Sequence, residues 1–264
     1  MMVGIQRAIA LLVAVRQSVA AALMFYTCLP VPASWVEEFQ QVARLAPLVG
    51  VLIGILLAGL DFVLQLLGMP VLTRSALIVS CWVGITGGLH LDGAMDTADG
   101  LAVQDPDRRL EVMADSVTGA FGAIAAGVIL LVKTAALSDL DQWRWLALVL
   151  AAGWGRWAQQ VAIARYPYLK STGKGAFHKT AISSLKNTLP SLLLLSGIAC
   201  LPMFFSAQWY GFSAELILGG GAIAWLTSAW FAYQLGGHTG DTYGATVEWS
   251  ETFFLVWFTV LVSA

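Results

Sequence analysis

Apolar runs long enough to cross a lipid bilayer recur along this chain, and nothing else limits its fold as strongly. A transmembrane helix needs roughly 20 mostly apolar residues. Such windows fall at 45–67, 71–90, 119–137, 143–163, 187–207 and 215–235, with a shorter one at 250–264. Only 11% of the 264 residues are charged and 58% are hydrophobic, whereas an ordinary soluble domain is about 25% charged. The expected fold class is therefore all-α: one domain over 1–264, a multi-pass transmembrane helical bundle of about six to seven spans plus an N-terminal membrane-associated helix. In that first segment Arg7 precedes an apolar run that Arg16 interrupts after eight residues. This favours a retained helix over a cleaved signal peptide, and leaves open whether residues 8–27 span the membrane or lie on it. Cys28, Cys81 and Cys200 lie far apart in or beside apolar runs and read as small apolar residues rather than a disulfide or metal framework.

The parity of the spans sorts the loops. Loops 91–118, 164–186 and 236–249 are separated by two crossings each, so they emerge on one face together with the segment before residue 45. That face holds ten of the 14 Lys and Arg; Arg74, Lys133 and Arg144 fall on the other, and Arg156 within a span. The positive-inside rule makes the loaded face cytoplasmic. The net charge of −2 says nothing about a nucleic-acid partner, but no broad basic surface is there to neutralise phosphates, so none is expected.

On the loaded face stands "GGLHLDGAMDTADGL", residues 87–101. Asp92, Asp96 and Asp99 at i, i+4 and i+7 share one helix face within about 40°. A second series, Asp107, Glu111 and Asp115, follows the "QDPD" turn, and two helices could bring the rows together. Carboxylates this close raise one another's pKa or demand a cation. Hard oxygen ligands suit Mg²⁺, which bridges substrate phosphates. The alternative is a solvated loop whose acids pair with Arg108 and Arg109, a reading that fits Asp105, Asp107 and Glu111 better than the first three. His90 reads equally as a ligand or as a packed helix-end residue.

Two further stretches suit the same purpose. "LGGHTGDTYGATVEWSE", 235–251, combines glycines that let backbone approach a ligand with His238, Asp241, Glu248 and Glu251. Glu248 and Glu251 are expected at the start of the last helix, where compensation of the helix dipole would also explain them. Loop 164–186 supplies Lys170, Lys174 and Lys179 without an acid, but lacks the pattern of a P-loop. Its bases could equally meet anionic lipid headgroups. Arg156, in "GWGRW", is costly within a membrane and should face the bundle and meet an anion. Carboxylates for metal, bases for phosphate and flexible backbone together suggest transfer of a phosphate-linked group to an acceptor hydroxyl.

The 87–101 stretch, followed by "DRRLEVMADSVTGAFGAIA", resembles the signature region of the cobalamin synthase family, the adenosylcobinamide-GDP ribazoletransferases. "FYTCLPVP" with "APLVGVLIG", "GRWAQQVAIARYPYLKSTGKGAF" and "GGHTGDTYGATVEWSE" agree, so the similarity runs in order over nearly the whole chain. Ala94-Met95 and Ala102-Val103 depart mildly from the usual pattern and leave every acid in place. The resemblance implies a Mg²⁺-dependent enzyme of the bacterial inner membrane with its active site facing the cytoplasm. It would join adenosylcobinamide-GDP to α-ribazole, or its 5′-phosphate, through the ribose 3′ hydroxyl, releasing GMP. Asp92, Asp96 and Asp99 are then the catalytic and metal residues, with Asp115 and Glu248 as further metal ligands. Arg156, Lys170, Lys174, His238, Asp241 and His90 are the candidate substrate-binding residues. Membrane lipids are expected neighbours, and the sequence leaves a homo-oligomer open.

Two other readings share features. "DTADG" with Asp107, Glu111 and Asp115 partly mimics a CDP-alcohol phosphotransferase, but Leu101-Ala102-Val103 stands where that family has an alanine-arginine pair. A cation transporter would place acids across the bilayer; here only Asp61 lies deep in a span.

Overall fold

In a computed structural model, which describes residues 2–170 and 176–263, the chain folds into helices joined by short turns. Helix α1, Met2–Tyr26, is a continuous 25-residue helix that runs through Arg16. Helices α2 (Val42–Leu66) and α3 (Val71–Thr86) form a hairpin around Gly68-Met69-Pro70, with Gly68 at φ 74°. Helix α4 (Leu89–Ala102) and the single turn α5 (Arg109–Val112) lead into α6 (Ala120–Ser138). Then come α7 (Arg144–Arg165), α8 (Ala176–Ala181), α9 (Leu189–Ala199), α10 (Tyr210–Leu235) and α11 (Gly240–Ser263). Five segments are long and apolar enough to cross a membrane, and a sixth if the bent pair α3–α4 counts as one. The fold is an all-α, multi-pass membrane bundle. No disulfide joins the three cysteines.

Helix α7 is the axis of the bundle. All but one of its residues from Arg144 to Ile163 are buried, against α2 on one side and α9, α10 and α11 on the others. Small residues make the α2–α7 approach close: a Cβ on Gly50 or Gly54 would collide with the α7 backbone at Ala152 and Val149. Such backbone contact replaces the hydrophobic drive that lipid does not supply. Over its buried length α7 is shielded by its neighbours, so it tolerates Arg156, Gln159 and Gln160.

The structure changes three expectations. The span from 71 does not continue to 90, because Gly87 and Gly88 both take left-handed φ values, 60° and 71°, and α4 leaves at 91° to α3. The last helix starts at Gly240, not near 250, and the glycine-rich loop expected over 236–249 is mostly its first turns. Its hydroxyls make this possible, with Thr246 Oγ1 donating to the Thr242 carbonyl and Thr252 Oγ1 to that of Glu248. A helix whose polar side chains bond its own backbone can be buried without an apolar stripe. Finally, Asp107, Glu111 and Asp115 do not share a helix: a 3₁₀ turn, α5 and a further turn split them, and Glu111 pairs at the surface with Arg108 at 3.8 Å.

The grouping of loops by parity holds. Arg109 Nη1 donates to the Gln234 carbonyl at the end of α10, Arg44 Nε to the Ala181 carbonyl, and Lys170 meets Asp241. The links after α3, α7 and α10 thus share one end of the bundle. Near the other end, Asp61 is bound by both Arg74 (3.2 Å) and Arg144 (2.7 Å), joining α2, α3 and α7.

Candidate active site

The bend at Gly87-Gly88 turns α4 away from the direction of the spans and lays the aspartate row across the end of the bundle. Asp92 is exposed, and Asp96 and Asp99 are half-buried. On its other side α4 rests on α11 through two glycines. A Cβ on Gly93 would stand 2.5 Å from the Asp241 carbonyl oxygen, and one on Gly244 2.9 Å from that of His90. Gly244, one of the glycines expected to admit a ligand, instead admits a neighbouring helix, as Gly93 does. Their effect is to bring Asp241, from the first turn of α11, to the row.

Asp96 lies at the centre of this group. Partial burial, then the fields of Asp92, Asp241 and Asp99, raise its pKa to about 6, while Lys170 opposes them. Like charges held together make one carboxylate retain its proton nearer to neutrality, where it can serve as a general base. Lys170 Nζ is 3.0 Å from Asp241 Oδ2. It is placed there by a short backbone pairing, in which Leu169 N–H donates to the His238 carbonyl and His238 N–H to that of Pro167.

Asp99 does a different job from its neighbours. Its two oxygens accept from the backbone N–H groups of Gly119 (2.7 Å) and Gly122 (2.8 Å). It therefore satisfies the free donors at the start of α6 in the manner of an N-cap from a distant segment, which leaves it less free to hold a metal than Asp92 or Asp96.

Other expected site residues are drawn elsewhere. Glu248 is not at a helix start and does not face the row; it is buried and ion-paired with Lys133 at 2.6 Å. Glu251 completes that network, meeting Lys133 at 2.5 Å and Arg156 on the other side. Arg156 does face the bundle and meet an anion, but fully buried, with Glu251 in the place given to a substrate. Lys133, counted with the face opposite the loaded one, is a buried α6 residue. Asp115 is exposed and accepts from the Val117 N–H in a local turn, apart from the row. His238 is fully buried with both ring nitrogens engaged, Nδ1 with Thr242 Oγ1 (3.0 Å) and Nε2 with the Ser228 carbonyl (3.1 Å). It shapes the turn into α11 rather than touching substrate. His90 packs as a helix-end residue, its ring stacked 6.0 Å from that of Tyr26. Lys179 Nζ donates to the Ile163 and Tyr166 carbonyls and caps α7. Lys174 lies outside the described residues. Among the described residues no three carboxylate, imidazole or thiol groups already converge as a metal cage.

Beside the row is a cavity of ≈ 580 Å³ between the end of α1 and the double-glycine bend, with Asp92 in its wall. Sequence reasoning missed it, because its two walls are some 60 residues apart.

These features define a class: an integral-membrane helical protein with an acidic, lysine-bordered site at one end of the bundle. The chain belongs to the cobalamin-5-phosphate synthase family, whose pattern matches residues 18–259. It is 59% identical over 241 residues to a protein of Trichormus variabilis named adenosylcobinamide-GDP ribazoletransferase, covering 91% of this chain and 96% of that one. Proteins of the same name from a Synechocystis species (50% identical, 90% and 93% covered) and from Prochlorococcus marinus (37%, 94% and 97%) are also similar. No solved structure matches the chain.

Proposed function

We propose that this chain joins adenosylcobinamide-GDP and α-ribazole, or α-ribazole 5′-phosphate, giving adenosylcobalamin or its phosphate and GMP. This is the nucleotide-loop assembly step of cobalamin synthesis. The family match and the shared name of its relatives support the reaction. What supports a site for it at this end of the bundle is Asp96, flanked by Asp92 and Asp241 and faced by Lys170.

In this reading the ribose 3′ hydroxyl of the acceptor attacks the phosphorus attached to the corrinoid. The new P–O bond forms as the anhydride bond to GMP breaks, and the hydroxyl proton passes to Asp96. Asp96 is suited to that proton because it titrates near 6, close to working pH. Lys170 is placed to exchange Asp241 for a pyrophosphate oxygen and to steady the departing GMP.

The donor set fits Mg²⁺. Asp92 and Asp241 give hard oxygens beside the base Asp96, with Lys170 as the cation opposing them, and an ion of this kind needs only one or two carboxylates when phosphates complete its shell. When bound, it would draw charge from the phosphate oxygens. Asp115 and Glu248 have no part in this set. The positive-inside asymmetry supports a bacterial inner-membrane protein with this end in the cytoplasm, where Lys170 would serve substrate phosphates and lipid headgroups would lie nearby. The test is mass analysis of corrinoid products after purified protein meets adenosylcobinamide-GDP, α-ribazole and Mg²⁺. Adenosylcobalamin is expected; unchanged adenosylcobinamide-GDP would overturn the assignment.

A further inference from the structure

We infer that the ≈ 580 Å³ cavity at the end of α1 is the acceptor subsite, taking the aromatic base and ribose of the uncharged nucleoside while any phosphate stays outside. This rests on the reaction proposed above and adds to it the place and charge preference of the second substrate.

Size selects between the two substrates. Pockets of about 300–1,000 Å³ enclose ligands the size of a nucleoside. A corrin macrocycle carrying a nucleotide is several-fold larger than a nucleoside and must lie across the open end of the bundle instead. Charge points the same way. The one charged residue of the wall is Asp92, with no Lys or Arg among the lining residues. The wall itself offers a phosphate or pyrophosphate no positive side chain, so without a cation at Asp92 the cavity favours the uncharged nucleoside over the GDP end of the donor and the 5′-phosphate of the acceptor. Lys170, the cation of the site, is paired with Asp241 on α11.

The wall chemistry suits a planar base. Met24, Phe25 and Met95 offer an aromatic face and thioethers, which pack well against rings. Thr27, Cys28 and Thr86 add small polar groups. The cavity is also preformed. Cys28 N–H donates to the Ile85 carbonyl at 2.7 Å, tying one wall to the other, and Thr27 Oγ1 bonds both the Leu23 carbonyl and the Leu29 N–H. Gly87 closes that junction: a Cβ there would lie 2.6 Å from Cys28 Sγ. A ribose at the Asp92 edge faces Asp96 one helical turn away, so the two substrates converge on the aspartate row from different sides.

Cys28 is exposed and supplies a native reporter. The experiment follows N-ethylmaleimide alkylation at Cys28 by peptide mass analysis, in the full chain in lipid vesicles. The additions are α-ribazole, GDP, and both together. The subsite predicts that saturating α-ribazole, alone or with GDP, slows Cys28 alkylation roughly tenfold or more in proportion to occupancy, and that GDP alone does not. Protection by GDP alone, or none from α-ribazole under either condition, overturns it. Cys28→Trp, which fills the cavity from an exposed position, provides the second readout. Its KM for α-ribazole should rise about tenfold while KM for adenosylcobinamide-GDP stays within about twofold. A rise confined to the corrinoid substrate overturns the assignment. Product formation by the unaltered protein is scored separately: turnover without Cys28 protection removes the subsite and keeps the reaction, whereas protection without turnover does the reverse.

Discussion

Lys170 Nζ stands 3.0 Å from Asp241 Oδ2, although 71 residues separate them in sequence. The pair joins the link after α7 to the first turn of α11, and Lys170 is the cation that opposes the carboxylates around Asp96. Replacing it should change when Asp96 gives up its proton. In Lys170→Met the acid limb of the kcat/KM profile should move above its wild-type position near pH 6, because a stabilising cation has been removed. pH–rate profiles of both proteins check this, and an unmoved limb would separate Asp96 from the titration.

Asp96 should cost the protein stability. Its folded pKa is raised above its ordinary value of 3.8, so ionisation is harder in the folded state. That penalty is absent below about pH 4, where the group is protonated in both states, and is complete above about pH 6. Asp96→Asn should therefore unfold at a higher temperature than wild type at pH 8 without added Mg²⁺, and at the same temperature near pH 3.5. Thermal unfolding in detergent measures it, and a less stable variant at pH 8 would contradict the repulsion.

The buried network should be sensitive to which partner is lost. Glu251 serves both Lys133 and Arg156, so Glu251→Ala leaves two buried cations without it. Breaking a buried pair on one side costs about 3–5 kcal/mol, and the yield of folded protein should collapse. Glu248→Gln leaves Lys133 its contact with Glu251 and should be milder. Monodisperse yield after extraction distinguishes them; equal yields would mean the network carries little.

Two glycines make a matched pair. Gly93→Ala puts a methyl group against the Asp241 carbonyl and should push α4 off α11, with activity lost. Gly59 has nothing within 4 Å of where its Cβ would be, so Gly59→Ala should be neutral or gain up to about 1 kcal/mol of helix propensity. Activity and unfolding temperature of the two variants decide the point.

Much of this was legible beforehand. Apolar runs announce spans regardless of partners, and the i, i+4, i+7 spacing of Asp92, Asp96 and Asp99 puts them on one helix face without tertiary information. The bend at Gly87-Gly88 was harder to read, because a run of apolar residues hides a break that only the two positive φ values reveal. The early start of α11 was hidden for the opposite reason: its threonines and glutamates are polar in sequence but find their partners inside the bundle. Long-range pairings such as Lys133 with Glu248, or Asp99 with the start of α6, span 115 and 20 residues and leave no local pattern. For the same reason Glu248 looked like a metal ligand.

The central claim is that corrinoid and nucleoside are joined at the row centred on Asp96. Wild type and Asp96→Asn, purified side by side in lipid with saturating Mg²⁺, adenosylcobinamide-GDP and α-ribazole, test it through the initial rate of adenosylcobalamin formation. The account predicts rapid product in the first and a rate lower by about 10²–10⁴-fold in the second, the range for losing a general base, with the variant still folded. An Asp96→Asn protein that makes adenosylcobalamin at close to the wild-type rate would contradict it.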